Sequence, residues 1–209
     1  MAGRKEMEAK GEEELGEVRR LEGGGHLWKA SLVLLEFLDK KEKGNFKGKK
    51  LLELGAGEGV LAEALSKMGA KVTATERGGG GGCLDRLKMK ADMACAAGLS
   101  MKAVELEWGE RGWELSELKS HVETFDYVIL SELFYDQESH EDLLWTLLRV
   151  TVPGSIVYSV FCDRPFSFMF FALLHDTGEF DVEEIPEAEV DKLGMSEEAQ
   201  IHLHKIVRR

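Results

Sequence analysis

The run Leu51-Leu52-Glu53-Leu54-Gly55-Ala56-Gly57-Glu58-Gly59 decides the fold of this chain. Leu51–Leu54 reads as a short buried strand, the three glycines allow a tight turn, and Val60–Met68 continues with helical spacing. Strand, glycine turn and helix in that order leave bare backbone at a helix N-terminus, where a ligand can approach closely. A second apolar run, Lys71-Val72-Thr73-Ala74-Thr75, ends in Glu76. A carboxylate closing the next strand about twenty residues on can accept hydrogen bonds from both hydroxyls of a ribose.

The glycine spacing separates two cofactor classes. A dinucleotide fingerprint wants G-x-G-x-x-G, but Gly55, Gly57 and Gly59 make G-x-G-x-G, and Val60 stands where the third dinucleotide glycine would be. That spacing fits S-adenosylmethionine better. With no pyrophosphate to bind, the loop is expected to cradle the methionine part and ribose, and Glu53 to attract the positive amino group.

Working outward, short β-rich runs alternate with helical stretches. Strands are expected at Lys50–Leu54, Lys71–Thr75, Lys102–Leu106, Tyr127–Leu130, Ser155–Phe161, Phe180–Ile185 and Ile201–Ile206. Helices are expected at Leu27–Leu38, Val60–Met68, Leu84–Ala97, His140–Val150 and Phe166–His175. Such alternation implies right-handed βαβ units and a parallel sheet covered on both faces. The last two strands have no ordinary helix between them, so an antiparallel pair is expected at the C-terminal end. This α/β pattern of seven strands resembles the class I methyltransferase fold, a Rossmann-like architecture.

Residues 1–25 are charged and glycine-rich, with too few apolar residues to bury, and read as a mobile arm before a domain over 26–209. Gly78–Gly82 is a second such segment. Each glycine in an ordered element costs roughly 0.5–1 kcal/mol relative to alanine, so five in a row read as a mobile loop: a plain connection, or a cover over the adenosine.

The 27 basic and 39 acidic residues give a formal charge of −12, which opposes attraction to a phosphate backbone and disfavours nucleic acid as a partner. A basic protein segment or a lysine side chain would be drawn in. No run approaches the roughly 18–20 apolar residues of a membrane span, so no membrane partner is expected. An apolar signal segment is absent from the N-terminus, and its glutamates oppose a mitochondrial transit peptide. Cys83, Cys95 and Cys162 show no metal-ligand spacing, so no metal is expected. Their odd number fits a reducing compartment, the cytoplasm with the nucleus as a second location.

A third motif closes the fourth expected strand: Ser131-Glu132-Leu133-Phe134-Tyr135-Asp136. In an open α/β sheet, ligands bind outside the carboxyl ends of the strands near the switch in strand order, where the glycine turn, Glu76 and Glu132 would converge. Four segments now stand in order: Leu27-Trp28-Lys29-Ala30-Ser31, Glu53–Gly59, Leu106-Glu107-Trp108-Gly109 and Ser131–Tyr135. Together they resemble the seven-strand protein lysine methyltransferases of the methyltransferase-like family, from about Leu27 to the C-terminus. The chain departs from that family in having Glu132-x-x-Tyr135 in place of Asp-x-x-Tyr, and in lacking asparagine over Leu84–Ala97.

The resemblance implies a site. Gly55, Gly57 and Gly59 would line the methionine and ribose of S-adenosylmethionine, Glu53 would lie near its amino group and Glu76 on its ribose. Trp108 would flank adenine, Trp28 would wall the methionine end, and Ser131 would complete the cofactor set. Glu132 and Tyr135 would face the incoming lysine of a protein substrate. Other readings share parts of this pattern. A dinucleotide oxidoreductase is opposed by the glycine spacing, and an N6-adenine methyltransferase by the lack of proline in Ser131–Tyr135. Methylation of another protein side chain such as arginine, methylation of a small molecule, and a non-catalytic cofactor-binding partner stay open at this point.

Overall fold

The computed structural model describes residues 18–20, 26–42, 44–79, 82–120, 124–191 and 200–209. Its leucine-rich run is β3 (Lys50–Leu54), which lies mid-sheet and is buried from Leu51 to Leu54. Period-2 alternation sends successive side chains to opposite layers. Leu51, Ile129, Tyr158 and Val160 join one core cluster, whereas Leu52, Leu54, Val128, Leu130, Val157 and Phe161 join the other. A strand buried on both faces needs apolar residues at almost every position, which is why these runs are continuous rather than alternating.

Before β3 come β1 (Val18–Arg20), β2 (His26–Trp28) and α1 (Lys29–Lys41). After it follow α2 (Val60–Lys67), β4 (Lys71–Glu76), α3 (Cys83–Ala96), β5 (Met101–Glu105), α4 (Glu110–Leu115) and β6 (Tyr127–Ser131). The chain closes with α5 (His140–Val150), β7 (Ile156–Cys162), α6 (Met169–Asp176), β8 (Phe180–Glu184), α7 (Glu187–Asp191) and β9 (Ile201–Arg208). The main sheet has seven strands in the order β5-β4-β3-β6-β7-β9-β8. β3 pairs in parallel with β4 on one side and β6 on the other, so the strand order switches at β3/β6. β9 runs antiparallel to both β7 and β8. This is the class I methyltransferase architecture expected from the sequence.

Helices α1, α2 and α3 cover one face through Val33, Leu34, Leu61, Leu65 and Leu87; α5 and α6 cover the other through Leu143, Leu147, Phe170 and Leu174. No helix among the described residues is long and apolar enough to cross a membrane.

Three differences from the expected elements have local causes. The helix expected from Phe166 starts at Met169, because Phe166 takes a left-handed conformation (φ 71°) that no helix accommodates. The short helices α4 and α7 were not expected; at six and five residues they are too brief to show a periodic face. Within the expected N-terminal arm, Val18–Arg20 pairs antiparallel with His26–Trp28, so Leu27 and Trp28 close a strand and the helix expected from Leu27 begins at Lys29, while residues 1–17 and 21–25 lie outside the described residues. Gly80 and Gly81 of the five-glycine run also lie outside them.

Candidate active site

The glycine turn leaves the carboxyl end of β3 and is fixed from the side by β4. The Ala56 amide donates to the Thr75 carbonyl at 2.8 Å, and the Gly57 amide donates to Glu76 Oε2, also at 2.8 Å. The other oxygen, Oε1, accepts from the Arg77 amide at 3.0 Å. Both carboxylate oxygens are thus oriented by backbone, and each keeps a second acceptor position for a ribose hydroxyl.

The three glycines do different work. Gly57 has positive φ (55°) and nothing within 4 Å of where a Cβ would sit, so the space over it is open to a ligand. A Cβ at Gly55 would lie 2.7 Å from Leu133 Cδ2 and 3.3 Å from the Trp108 ring, and one at Gly59 would lie 2.3 Å from Leu87 Cδ1. Gly59 is buried and does not line the cavity described below; its bare Cα admits α3 rather than cofactor.

Glu53 stands one residue pair before the turn, only 3% exposed, and its Oε2 is buried without a hydrogen-bond partner in the protein. Burial pushes its carboxyl up to about 8, opposed by a hydrogen bond from the Ala62 amide and assisted by the nearby charge of Glu76. A cationic amino group placed against Oε2 would supply the missing partner and favour the ionised form. Since the folded value lies above the ordinary 4.5, the neutral acid favours folding. That contribution is complete below the ordinary carboxylate pKa and is lost as pH rises from about 4.5 through about 8. Binding S-adenosylmethionine at pH 7 is therefore expected to release close to one proton, measured by calorimetry in buffers of different ionisation enthalpy. Glu53→Gln should abolish the release, and buffer-independent heats in the wild type would contradict this placement.

One cavity of about 600 Å³ joins these groups to the rest of the expected site. That volume lies in the range of small-molecule sites. Glu53, Gly55, Gly57 and Glu76 line it together with Trp108, Ser131, Glu132 and Tyr135. Trp108 is half-buried, packed against the core cluster that contains Leu133, and the following Gly109 amide donates to Thr146 Oγ1 at 2.8 Å. Ser131 shares a 2.7 Å hydrogen bond with Ser31, which ties β6 to α1 across the cavity. Trp28 closes β2 directly before α1, and its side chain lies outside the described residues.

Glu132 departs from the simple picture of a carboxylate waiting for an amine. It is a non-glycine residue with φ 58°, just past the end of β6, and is 5% exposed. Its amide donates to the Val160 carbonyl at 2.8 Å. Its Oε1 accepts from the Cys162 amide at 3.2 Å, and its Oε2 forms a 2.5 Å ion pair with Arg164 Nη1. Tyr135 lies at the rim, 56% exposed. Sequence reasoning missed Ser31, Asp142 and Arg164, which also line the cavity. Ser31 closes the Trp28 segment but carried no assigned role, Asp142 sits in no motif, and Arg164 follows β7, more than thirty residues beyond its partner.

A family model described as lysine methyltransferase matches residues 11–176. The chain belongs to that lysine methyltransferase family. Among curated relatives, the protein N-terminal and lysine N-methyltransferase EFM7 of Yarrowia lipolytica is 27% identical over 205 residues, covering 88% of this chain and 75% of that protein. The histone-arginine methyltransferase METTL23 of Xenopus laevis is 29% identical over 131 residues, covering 63% of this chain and only 53% of its own length. A glycopeptide N-methyltransferase solved with sinefungin superposes with a TM-score of 0.62 at 14% identity, covering 92% of this chain and all of that one. At that identity the likeness shows the fold alone. This lysine methyltransferase family member uses S-adenosylmethionine, and the open space over Gly57, the orphaned Glu53 oxygen and the oriented Glu76 carboxylate fit that cofactor.

Proposed function

We propose that this family member transfers a methyl group from S-adenosylmethionine to the side-chain amine of a lysine in a protein. The observation that carries the reading is the continuity of one cavity from the Glu53–Gly57–Glu76 cradle to buried Glu132 and exposed Tyr135 at its rim. A rim residue so exposed can meet a macromolecule, and an acidic lining that includes Asp136 and Asp142 suits a cationic side chain.

When bound, the cofactor supplies a methyl carbon on positively charged sulfur. Accepting that methyl would require an amine that presents its nitrogen lone pair, so the chain's own residues must hold the amine neutral and aligned. An ammonium has no lone pair to give. At pH 7 a free lysine, with pKa near 10.4, costs about 4–5 kcal/mol to deprotonate, and its proton leaves to solvent. Glu132 accepts from the Cys162 amide, the Cys162 thiol and Arg164, which leaves one acceptor position through which it can capture and align the amine. The Tyr135 ring and hydroxyl can hold the aliphatic stem and the nitrogen at the mouth.

The net charge of −12 supports a protein acceptor over nucleic acid. The free cysteines Cys83, Cys95 and Cys162 support work in the cytoplasm or nucleus. The histone-arginine relative favours an arginine acceptor as the second reading. Incubation with methyl-labelled S-adenosylmethionine and cell extract separates the acceptor classes. Label that is sensitive to protease and resistant to nuclease is expected; label confined to nucleic acid or small molecules would overturn the proposal.

A further inference from the structure

β7 ends at Cys162, and the following turn carries Arg164 back over the site before α6 begins. Backbone bonds hold that turn in place: the Asp163 amide donates to the Gln200 carbonyl at 2.9 Å, and the Ser167 amide donates to the Arg164 carbonyl at 3.2 Å. Arginines on such turns ordinarily extend into water. Here the side chain is only 12% exposed and lies against Glu132, itself 5% exposed and fixed by the Cys162 amide. Burying two charges is expensive and rarely adds stability, so a pair in the reaction cavity calls for a chemical role.

We propose that Arg164 is a positioning residue for methyl transfer: by neutralising Glu132, it lets that carboxylate hold the lysine as a neutral amine rather than as an ammonium ion. The inference rests on the lysine reading above. An unpaired carboxylate beside the substrate nitrogen would favour the charged form, which cannot attack. A guanidinium 2.5 Å from that carboxylate opposes the effect, so the pair presents acceptor oxygens with little net charge. A neutral amine can donate N–H to the free acceptor position of a Glu132 oxygen and keep its lone pair for the methyl carbon.

Other titratable groups surround the pair. Burial, the charge of Glu132 and a hydrogen bond to that carboxylate push the Cys162 thiol up to about 12, so it stays neutral, against the opposing positive charges of Arg164 and of Lys29 on α1. Tyr135, Asp136, Asp142 on α5 and Glu53 on β3 line the same cavity. These groups are common to the wild type and to Arg164 variants, so a comparison between them isolates the guanidinium.

Arg164→Gln keeps an N–H donor and removes the charge, while Arg164→Lys keeps the charge. The probe is Nα-acetyl-lysine amide labelled with carbon-13 at Cε, bound to the full chain with S-adenosylhomocysteine; its Cε shift followed against pH reports the titration of the bound amine. In Arg164→Gln the midpoint is expected to move up by about one pH unit or more, and in Arg164→Lys to return most of the way. With the labelled cofactor in place, the pH profile of kcat should move in the same order, and KM for the amine should not rise in Arg164→Gln. Equal midpoints in the three folded proteins would overturn the inference and leave the lysine reading standing. A wild-type midpoint above that of the free amine would overturn it without any variant. Failure of the wild type to bind the amine at all would overturn both.

Discussion

Glu132→Ala is expected to lower methyl transfer by about 100-fold or more and to destabilise the protein at the same time. The kinetic loss follows from removing a buried carboxylate that lines the same cavity as Tyr135, with alignment of the nitrogen lost along with it. The stability loss has a separate origin. Arg164 would be left largely buried without its 2.5 Å partner, and breaking a buried pair from one side costs about 3 kcal/mol. For a chain of this size that lowers Tm by roughly 6–12 °C. The double variant Glu132→Ala/Arg164→Met should recover part of the stability and none of the activity. Steady-state kinetics beside thermal melts check both halves. Undiminished turnover in a folded Glu132→Ala would remove the assigned role.

Gly57→Val and Gly59→Val should fail in opposite ways. At Gly57 the new side chain meets no protein atom, only the space assigned to cofactor. Binding of S-adenosylhomocysteine should weaken by at least about 100-fold, since the branched side chain would overlap bound ligand. The folded state should lose only the left-handed backbone penalty of about 1–3 kcal/mol. At Gly59 the Cβ falls 2.3 Å from Leu87 Cδ1, and Leu87 is fully buried. That penalty adds to an overpacking cost of about 1–3 kcal/mol, so the stability loss should be the larger of the two. The folded fraction of Gly59→Val should still bind within a few fold of the wild type. Titration calorimetry beside denaturant melts distinguishes the cases; equal affinity losses at both positions would contradict the division of labour within the turn.

That division shows what a sequence can and cannot reveal. Gly55, Gly57 and Gly59 look equivalent on the page, because the pattern records where a side chain is missing and not what fills the space. The seven strands of the main sheet were legible to within one or two residues, since a strand covered on both faces must be largely apolar, as Leu51–Leu54 and Val128–Leu130 are. Phe166 misled for the opposite reason. It fits a helical face with Met169 and Phe170, yet it stands 62% exposed in a left-handed turn. Glu53, Glu76 and Glu132 were legible because each lies within one residue of the carboxyl end of a strand at or beside the switch point, where topology alone brings strand ends together. Arg164 was not. Its partner follows the neighbouring strand, β6, and nothing in a lone arginine after β7 signals that its charge is buried.

The most direct test is the chemical identity of the labelled atom. Labelled protein from cell extract, digested and sequenced by mass spectrometry, is expected to carry methyl groups on the ε-nitrogen of a lysine. The label should be lost from the same position with Gly57→Val and Glu132→Ala enzyme. Methyl groups found on arginine, or on no protein side chain, would contradict the lysine assignment.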